Sequence, residues 1–407
     1  MIRPTHIGIL AIDVYLPAQK VLQKDLEETD KCHGKYTQGL GQESMCFTTD
    51  REDVVSMALT VVDSLLEKWD IEPNCIGRLE VGTESCIDRS KSIKSHLCRL
   101  FQRAGNTSLE GVDCVHGCFG ATAAVLNSVA WVESSGWDGR LALVVATDVA
   151  LYEPESAARA TGGCGSVAIL IGPEAPLSFD PAWRSCFSMH SDEFCKPAGH
   201  QSPYPIVDGP ATITQFLKAS EECYKTLTRK VVTQSEPRRN TCYHYFNTSG
   251  ELQNQQFQLI TCPLLVYPKI QVGNSYTACV WMGLAGLLEA EAGPSMKMQE
   301  GTRLLLFSFG SGVMAAMLGL VCTACTGPSS KYRLQLLSEK IRLRERISKQ
   351  RIVLPGVYNS ASDLVRLSYQ VARSYEPASS IESLDPGTYY LDKIDDRACR
   401  HYLRKPL

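Results

Sequence analysis

A pattern that occurs twice in the chain places the strongest limit on its fold. The first copy begins at Cys118, continues as an apolar, helix-like segment and ends, after a glycine-containing turn, in the apolar stretch Leu141–Ala146. The second copy begins at Asn274 and ends in the apolar stretch Leu304–Ser308. Because a helix that is apolar on every side has to be buried, we predict two similar halves that each bury a central helix. The alternative is a chance likeness between two apolar helices.

Helical and strand-like patterns alternate along the rest of the chain. The segment Glu52–Trp69 repeats apolar residues at helical spacing. Leu141–Val149 and Val167–Ile171 are almost wholly apolar, as strands covered on both faces are. Leu304–Cys325 is also apolar, but serines and glycines interrupt it, which predicts two strands joined by a turn rather than a membrane span. The alternation is typical of an α/β fold.

The composition narrows the classes of function. The 407 residues carry 44% hydrophobic and 21% charged side chains and a formal net charge of −3, which gives no general attraction to nucleic acid or to an anionic membrane. The basic run Lys340–Arg346 has no interleaved aromatic residues and fits the solvated face of an amphipathic helix. A single CxxC pair, Cys322 and Cys325, is better explained by core packing than by a metal site. Without a signal peptide, the 17 cysteines predict free thiols and a cytoplasmic protein.

The surroundings of Cys118 suit a nucleophile. The residue stands between a strand and a buried helix, with Gly117 and Gly120 beside it. The unpaired N–H groups and the macrodipole at a helix N-terminus favour an anion, so we expect a thiol with a lowered pKa that reacts as a nucleophile. Glycines also let the backbone approach a substrate closely. An inert core cysteine explains the local sequence equally well.

Glu84 is a candidate general base. It follows the predicted strand Leu79–Thr83, and active residues of α/β sheets collect at the carboxyl ends of strands. A carboxylate that is shielded from water at such a place can accept a proton from a substrate. An acidic residue near a helix N-terminus is the simpler interpretation of this position alone. None of the eight histidines lies in a motif that identifies it as a third partner.

Short strings along nearly the whole chain resemble those of hydroxymethylglutaryl-CoA (HMG-CoA) synthases, and they occur in the family's order. They are Gly34–Thr37 with Gly39–Gln42, Leu79–Glu84 with Ile87–Lys91, Asn106–Thr107 with Glu110–Asp113, Trp131–Ser135 with Trp137–Arg140, Arg159 with Thr161–Gly163, Ile171–Pro176, Tyr204–Gly209, Gly273–Asn274 with Tyr276–Thr277, Phe307–Gly312, Gly387–Leu391 and Arg400–Pro406. From these strings the chain is identified as a member of this family.

The resemblance implies an α/β, thiolase-like fold with two similar halves in a five-layer αβαβα arrangement, residues 1–175 and a shortened half, 176–407. It implies the condensation of acetyl-CoA with acetoacetyl-CoA to 3-hydroxy-3-methylglutaryl-CoA, in the mevalonate pathway of isoprenoid and sterol synthesis or in ketogenesis. Cys118 would take the acetyl group as a thioester, and Glu84 would remove a methyl proton from it. The carbanion equivalent would attack the acetoacetyl ketone, and water would release the product. The resemblance implies a homodimer and does not imply a cofactor.

The resemblance also assigns substrate-binding positions. It places a histidine beside the site and hydroxyl or amide groups within it, and these are His33, Thr161, Thr212, Asn274 and Ser311. Two positions depart from the family pattern. His116 and Gly117 replace an Asn-Ala pair before the cysteine, and Ala157 replaces an asparagine, which removes amide hydrogen bonds from the CoA site.

The largest departure is a gap between Tyr224 and Gly273, where the family carries several dozen more residues. The family's ketone-binding histidine and two CoA-binding lysines belong to that stretch. His244 is the only histidine in the region and is the candidate for the missing role, although its neighbours do not match the family motif. The alternative function is therefore an impaired paralogue or splice form that still binds acyl-CoA. A related ketoacyl synthase or thiolase activity is a third interpretation.

Overall fold

The computed structural model describes residues 3–197, 203–234, 242–246, 268, 270–291, 298, 300–323, 331–371 and 373–407. Helices and strands alternate in its first half, as predicted. The helices of the described residues are α1 (Gln23–Asp30), α2 (Val54–Trp69), α3 (Ile93–Gln102), α4 (Gly120–Glu133), α5 (Gly209–Gln234), α6 (Cys279–Glu291), α7 (Leu334–Ile341), α8 (Leu343–Lys349) and α9 (Pro355–Gln370).

The strands of the described residues form one large sheet and three small ones. They are β1 (Gly8–Tyr15), β2 (Gln19–Leu22), β3 (Ser44–Cys46), β4 (Ile76–Thr83), β5 (Asp113–Val115), β6 (Leu141–Val149), β7 (Cys164–Gly172), β8 (Leu177–Ser188), β9 (Phe194–Cys195), β10 (Ile206–Val207), β11 (Cys242–Phe246), β12 (Arg303–Gly310), β13 (Met314–Cys322), β14 (Arg351–Val353), β15 (Tyr389–Ile394) and β16 (Arg400–Arg404). The large sheet has nine strands in the order β11-β12-β13-β8-β1-β7-β6-β4-β5.

The order of strands repeats on the two sides of this sheet. On one side the antiparallel pair β6 and β7 lies between β1 and a strand, β4, that runs parallel to β6. On the other side the antiparallel pair β12 and β13 lies between β8 and a strand, β11, that runs parallel to β12. The two sides meet where β1 pairs with β8. In each, an apolar helix (α4 or α6) precedes the pair, which supports the predicted repeat.

Helix α2 illustrates how local sequence sets an element's limits. The side chain of Asp53 accepts hydrogen bonds from the N–H groups of Val55 and Ser56, each at 2.9 Å, so the helix begins at Val54 rather than at Glu52. Most of its 16 residues are buried, because the sheet and other elements cover it on several sides. The central helices α4 and α6 are also apolar, and Trp281 in α6 is fully buried.

Two predictions about the second half have different outcomes. The apolar stretch after Leu304 does form two strands joined by a turn, β12 and β13. Among the residues that the structure describes, no helix combines the length and the apolarity that crossing a bilayer requires. The predicted single amphipathic helix around Lys340–Arg346 is wrong, because Arg342 takes a left-handed conformation, with φ 50°, and divides the segment into α7 and α8.

Candidate active site

The carboxyl ends of three parallel strands meet at one edge of the large sheet. Strand β4 pairs in parallel with both β5 and β6, and Glu84 directly follows β4. Cys118 lies in the turn that leads from β5 into α4, and Asp148 is the penultimate residue of β6. This is the edge where open α/β sheets place reactive groups. The structure therefore brings together the predicted base, the predicted nucleophile and a carboxylate that the sequence did not single out.

Two glycines allow the turn around Cys118 to pack so closely. A Cβ atom on Gly82 of β4 would lie 2.0 Å from the backbone nitrogen of Ala121, so only glycine lets α4 begin against this strand. A Cβ atom on Gly310 of β12 would lie 1.8 Å from the carbonyl oxygen of Gly117. The end of β12 therefore rests directly on the turn that carries Cys118.

Glu84 and Cys118 are in direct contact. The Glu84 Oε2 atom accepts a hydrogen bond from the backbone N–H of Cys118 at 2.6 Å, and the Cys118 thiol lies 3.3 Å from the same oxygen and donates to it. The side chain of Glu84 is 6% exposed. A proton can therefore pass from the thiol to the carboxylate without an intervening group.

The backbone conformation of Cys118 is unusual, and the low pKa predicted for its thiol is wrong. Its φ of 49° lies in the left-handed region that non-glycine residues rarely adopt, which is a feature of functional turns. Burial raises the pKa of the Cys118 thiol well above its usual range, and the charges of Glu84 and Asp148 raise it further. The helix N-terminus does not outweigh these two effects. Glu84, in contact with the thiol, is the group placed to accept its proton.

Asp148 holds the backbone of the site. Its Oδ1 atom accepts from the Thr83 hydroxyl at 2.9 Å and from the N–H of Glu84 at 2.8 Å. Its Oδ2 atom accepts from the N–H of Thr277 at 3.1 Å, which ties the second half of the chain to the first. Burial raises the pKa of Asp148, and the neighbouring Glu84 charge raises it further. A carboxylate inside the otherwise apolar stretch Leu141–Val149 was the sequence signal that could have identified this residue.

Two further residues escaped sequence reasoning. The Lys196 ammonium, just after β9, lies 2.9 Å from Glu84 Oε1. The buried carboxylate of Glu193 accepts from the N–H of Gly312 at 2.9 Å and so fixes the turn after β12. Both come from an irregular segment without periodicity, and only the folded chain brings them to the site.

Three of the predicted substrate-binding residues lie near this centre. The N–H of Asn274 donates to the carbonyl of Thr161 at 2.8 Å. Thr161 also hydrogen bonds to the half-buried phenol of Tyr152, whose pKa is raised by desolvation and, in smaller part, by the charges of Cys118 and Glu84. Ser311 lies against the Cys118 turn, since a Cβ atom on Gly117 would be 3.8 Å from its carbonyl oxygen.

The other predicted residues are not joined to the centre by the contacts of the described residues. Thr212 lies in the first turn of α5, where its hydroxyl donates to the carbonyl of Asp208 at 2.9 Å. His33 is exposed in the loop that follows α1. The backbone of His244 belongs to β11 and pairs with Leu305, but its side chain falls outside the described residues. Its suggested role stays a prediction.

A cavity of about 740 Å³ opens beside the centre. Its volume is in the range of small-molecule sites. Glu84 and Lys196 form its inner end, and the residues that follow β4 and β6 form much of its wall, including Ser85, Val149 and Leu151. The cavity gives a substrate access to Glu84.

Comparison with known proteins defines the class. The model of the N-terminal region of hydroxymethylglutaryl-coenzyme A synthase matches residues 3–176, and that of its C-terminal region matches 177–249 and 244–405. The cytoplasmic HMG-CoA synthase of Mus musculus is 38% identical over 99% of this chain and 88% of its own length. The hydroxymethylglutaryl coenzyme A synthase of a Fusarium species is 38% identical over the full length of both chains. The protein is thus an acyltransferase of the mevalonate-pathway type, and it belongs to the HMG-CoA synthase family.

Solved structures agree on the fold. A structure described as MvaS in complex with 3-hydroxy-3-methylglutaryl coenzyme A has a TM-score of 0.84 at 26% identity and covers 98% of this chain and 99% of its own. An HMG-CoA synthase complexed with CoA has a TM-score of 0.81 at 19% identity, over 98% and 100% of the two chains. These likenesses confirm the predicted α/β, thiolase-like fold. The division at residue 175 stays a prediction.

Proposed function

We propose that this chain condenses acetyl-CoA with acetoacetyl-CoA to 3-hydroxy-3-methylglutaryl-CoA through an acetyl thioester on Cys118. The observation that carries the proposal is the contact of 3.3 Å between the Cys118 thiol and Glu84 Oε2. A thiol with a raised pKa needs a base to become a nucleophile, and Glu84 is positioned to be that base. Membership of the HMG-CoA synthase family supports the choice of substrates.

The geometry suggests how each step proceeds. The thiol proton of Cys118 passes to Glu84 as the sulfur attacks the acetyl carbonyl, and Glu84 gives that proton to the CoA thiolate as it leaves. The N–H of Cys118, which donates to Glu84 Oε2 at 2.6 Å, is a donor that the thioester oxygen can take over as negative charge develops on it. Glu84 then removes a proton from the acetyl methyl group, and the resulting enolate attacks the ketone of acetoacetyl-CoA. Hydrolysis of the thioester frees Cys118.

Incubation with isotopically labelled acetyl-CoA tests the proposal directly. We expect an acetyl group on the peptide that contains Cys118, found by mass spectrometry, and labelled HMG-CoA after acetoacetyl-CoA is added. A chain in which acetyl-CoA leaves Cys118 unmodified, while iodoacetamide still reaches it, would refute the proposal.

A second candidate function is a form that acetylates Cys118 but condenses poorly. The match to the C-terminal family model in two pieces, 177–249 and 244–405, favours it, because the break falls where the family carries its histidine-bearing segment. Without a donor to the ketone, the condensation step can be slower by about 10²–10³-fold. The ratio of acetylation rate to condensation rate decides between the two functions. Loss of condensation in His244→Ala would assign the donor to His244.

We also propose that the chain acts as a homodimer in the cytoplasm. Among the residues that the structure describes, β5 is the last strand at its edge of the large sheet, and the side chains of Val112 and Val115 are 59% and 63% exposed. An uncovered edge with apolar residues is suited to pairing with a second copy. Analytical ultracentrifugation of the parent chain and of Val112→Asp tests this, and a monomeric parent would exclude it. The location follows the names of the mammalian relatives, and fractionation of cells tests it.

A further inference from the structure

Lys196 contacts the proposed base, Glu84, but has no role in the proposed reaction steps. It follows the short strand β9, far in sequence from both Glu84 and Cys118, yet its Nζ atom lies 2.9 Å from Glu84 Oε1. The lysine side chain is 24% exposed and that of Glu84 is 6% exposed. The pair is therefore largely shielded from solvent, where the interaction of opposite charges is stronger than on an open surface.

Aromatic rings hold the ammonium in place. The Nζ atom lies 4.5 Å from the ring centroid of Tyr276 and 5.8 Å from that of Phe194. Cation–π attraction at these distances favours one orientation of the long, flexible side chain. Tyr276 is 1% exposed and precedes α6, so the second half of the chain supplies the surface on which Lys196 rests.

The charges around Glu84 explain why a positive charge at Lys196 is needed. The groups that face Glu84 are the thiol of Cys118, the carboxylate of Asp148 and the phenols of Tyr152 and Tyr276. Each of these is acidic or neutral, whereas Lys196 brings a positive charge to the opposite oxygen, Oε1. Its attraction opposes the repulsion between Glu84 and Asp148 and orients Oε2 toward the cysteine.

We propose that Lys196 is a positioning residue of the active site, which holds the Glu84 carboxylate directed at Cys118. The inference rests on the proposed function, because it assigns Glu84 the task of accepting the thiol proton. When that proton moves to Oε2 and the thiolate forms, the ammonium remains to balance the negative charge on sulfur. Lys196 itself transfers no proton.

The test follows from electrostatics at Cys118. Burial, Glu84 and Asp148 raise the pKa of the thiol, and Lys196 acts in the opposite direction. The rate at which iodoacetamide alkylates Cys118 rises with pH as the thiol ionises. In Lys196→Met this rise should therefore occur at a higher pH than in the parent. One pKa unit corresponds to about a tenfold lower rate at pH 8. At high pH, where the thiol is ionised in both proteins, the two rates should converge.

Two matched variants control this experiment. Lys196→Arg keeps the charge and should return the pH profile close to that of the parent. Lys225→Met removes a lysine that pairs with its neighbours Glu221 and Glu222 on the surface of α5, and it should leave the profile unchanged. Circular dichroism spectra establish that each variant is folded.

Each outcome decides the question. A Lys196→Met profile that overlays the parent's would overturn the proposal. So would equal loss of alkylation at every pH in both Lys196→Met and Lys196→Arg, which would indicate a structural role only. Because alkylation needs neither acetyl-CoA nor condensation, a failure to produce HMG-CoA would count against the proposed function and leave this test intact.

Discussion

The turns that precede the two central helices, α4 and α6, share a backbone conformation but hold different residues. Cys118 before α4 has a φ of 49°, and Tyr276 before α6 has a φ of 47°. The sequence suggested Cys118 and Asn274 as counterparts, whereas the conformation pairs Cys118 with Tyr276. Asn274 instead supports the second turn, since its side-chain oxygen accepts from the N–H of Tyr276 at 3.0 Å.

The first turn carries the candidate reactive groups, and the second turn supports them. The first turn presents a thiol beside a carboxylate, and the second presents a buried ring to the ammonium of Lys196. The second turn also braces the first, because Thr277 accepts a hydrogen bond from the N–H of Ala121 and donates one to Asp148. Under the proposed function, the repeated fold thus supplies one reactive turn and one that fixes its position.

The distinction between the two turns fails if the first turn is not the reactive one. Cys118→Ala should abolish acetyl transfer, with a loss on the order of 10⁶-fold in turnover, as loss of a nucleophile causes elsewhere. Cys279→Ala, at the start of α6, is the matched variant and should acetylate Cys118 as the parent does. The measurement is incorporation of labelled acetyl groups. Acetylation of Cys118→Ala at the parent's rate would move the nucleophile to another residue.

Replacement of the carboxylate beside Cys118 should separate the two steps of the reaction. In Glu84→Ala we expect condensation to fall by about 10²–10⁴-fold, because no base removes the methyl proton. Acetylation should fall by a smaller factor, since the thiol also loses its proton acceptor. Rapid-quench measurements of acetyl-enzyme and product distinguish the steps. Glu110→Gln removes an exposed carboxylate near the amino end of β4, away from the site, and is the control. Condensation in Glu84→Ala at the parent's rate would disprove its role as base.

The first turn was more predictable from the sequence than the second. Apolar strands and helices with glycines between them give the α/β class and place Glu84 and Cys118 at strand ends, because periodicity reports local structure. Burial of Cys118 depends on β12 resting on its turn, which no local pattern encodes. The predicted lowering of its pKa failed for that reason.

Long-range placement explains the remaining misses. Lys196 is far in sequence from Glu84, which it contacts in the fold. The left-handed conformation of Arg342, which divides α7 from α8, has no signal in the composition. Asp148 differs from these residues, because the sequence alone could have identified it. A carboxylate in an apolar strand is costly to bury, so its presence there indicates a specific role. His33 and Thr212 were assigned by resemblance alone, without a physical argument for either.

A buried carboxylate outside the site tests whether burial alone confers function. Glu52 is 4% exposed, accepts a hydrogen bond from the Tyr15 hydroxyl at 2.5 Å, and has a pKa that burial raises to about 7. The folded chain therefore binds a proton that the unfolded chain releases between about pH 4.5 and 7, so stability falls as the pH rises through this window. Glu52→Gln should be more stable than the parent at pH 8 by about 2–3 kcal/mol.

Denaturant unfolding at pH 5 and pH 8 measures this effect. The advantage of Glu52→Gln should shrink at pH 5, where the carboxyl of the parent is largely protonated. Acetylation of Cys118 should match the parent's, which would show that burial of a carboxylate is not sufficient for a role in the reaction. An equal stability difference at both pH values would contradict the assigned titration.

The smallest expected effect concerns the bond by which the second turn braces the first. The Thr277 hydroxyl accepts from the N–H of Ala121 at 2.6 Å, and Thr277 is fully buried. That N–H lies in the first turn of α4 and has no partner within the helix. Thr277→Val keeps the shape and leaves the donor unsatisfied, so the free energy of unfolding should fall by about 1–2 kcal/mol. Thr277→Ser keeps the hydroxyl and should recover most of this loss. If valine and serine variants unfold at the same denaturant concentration, the hydroxyl does not brace the reactive turn, and the division between a reactive and a supporting turn would rest on the Asp148 contact alone.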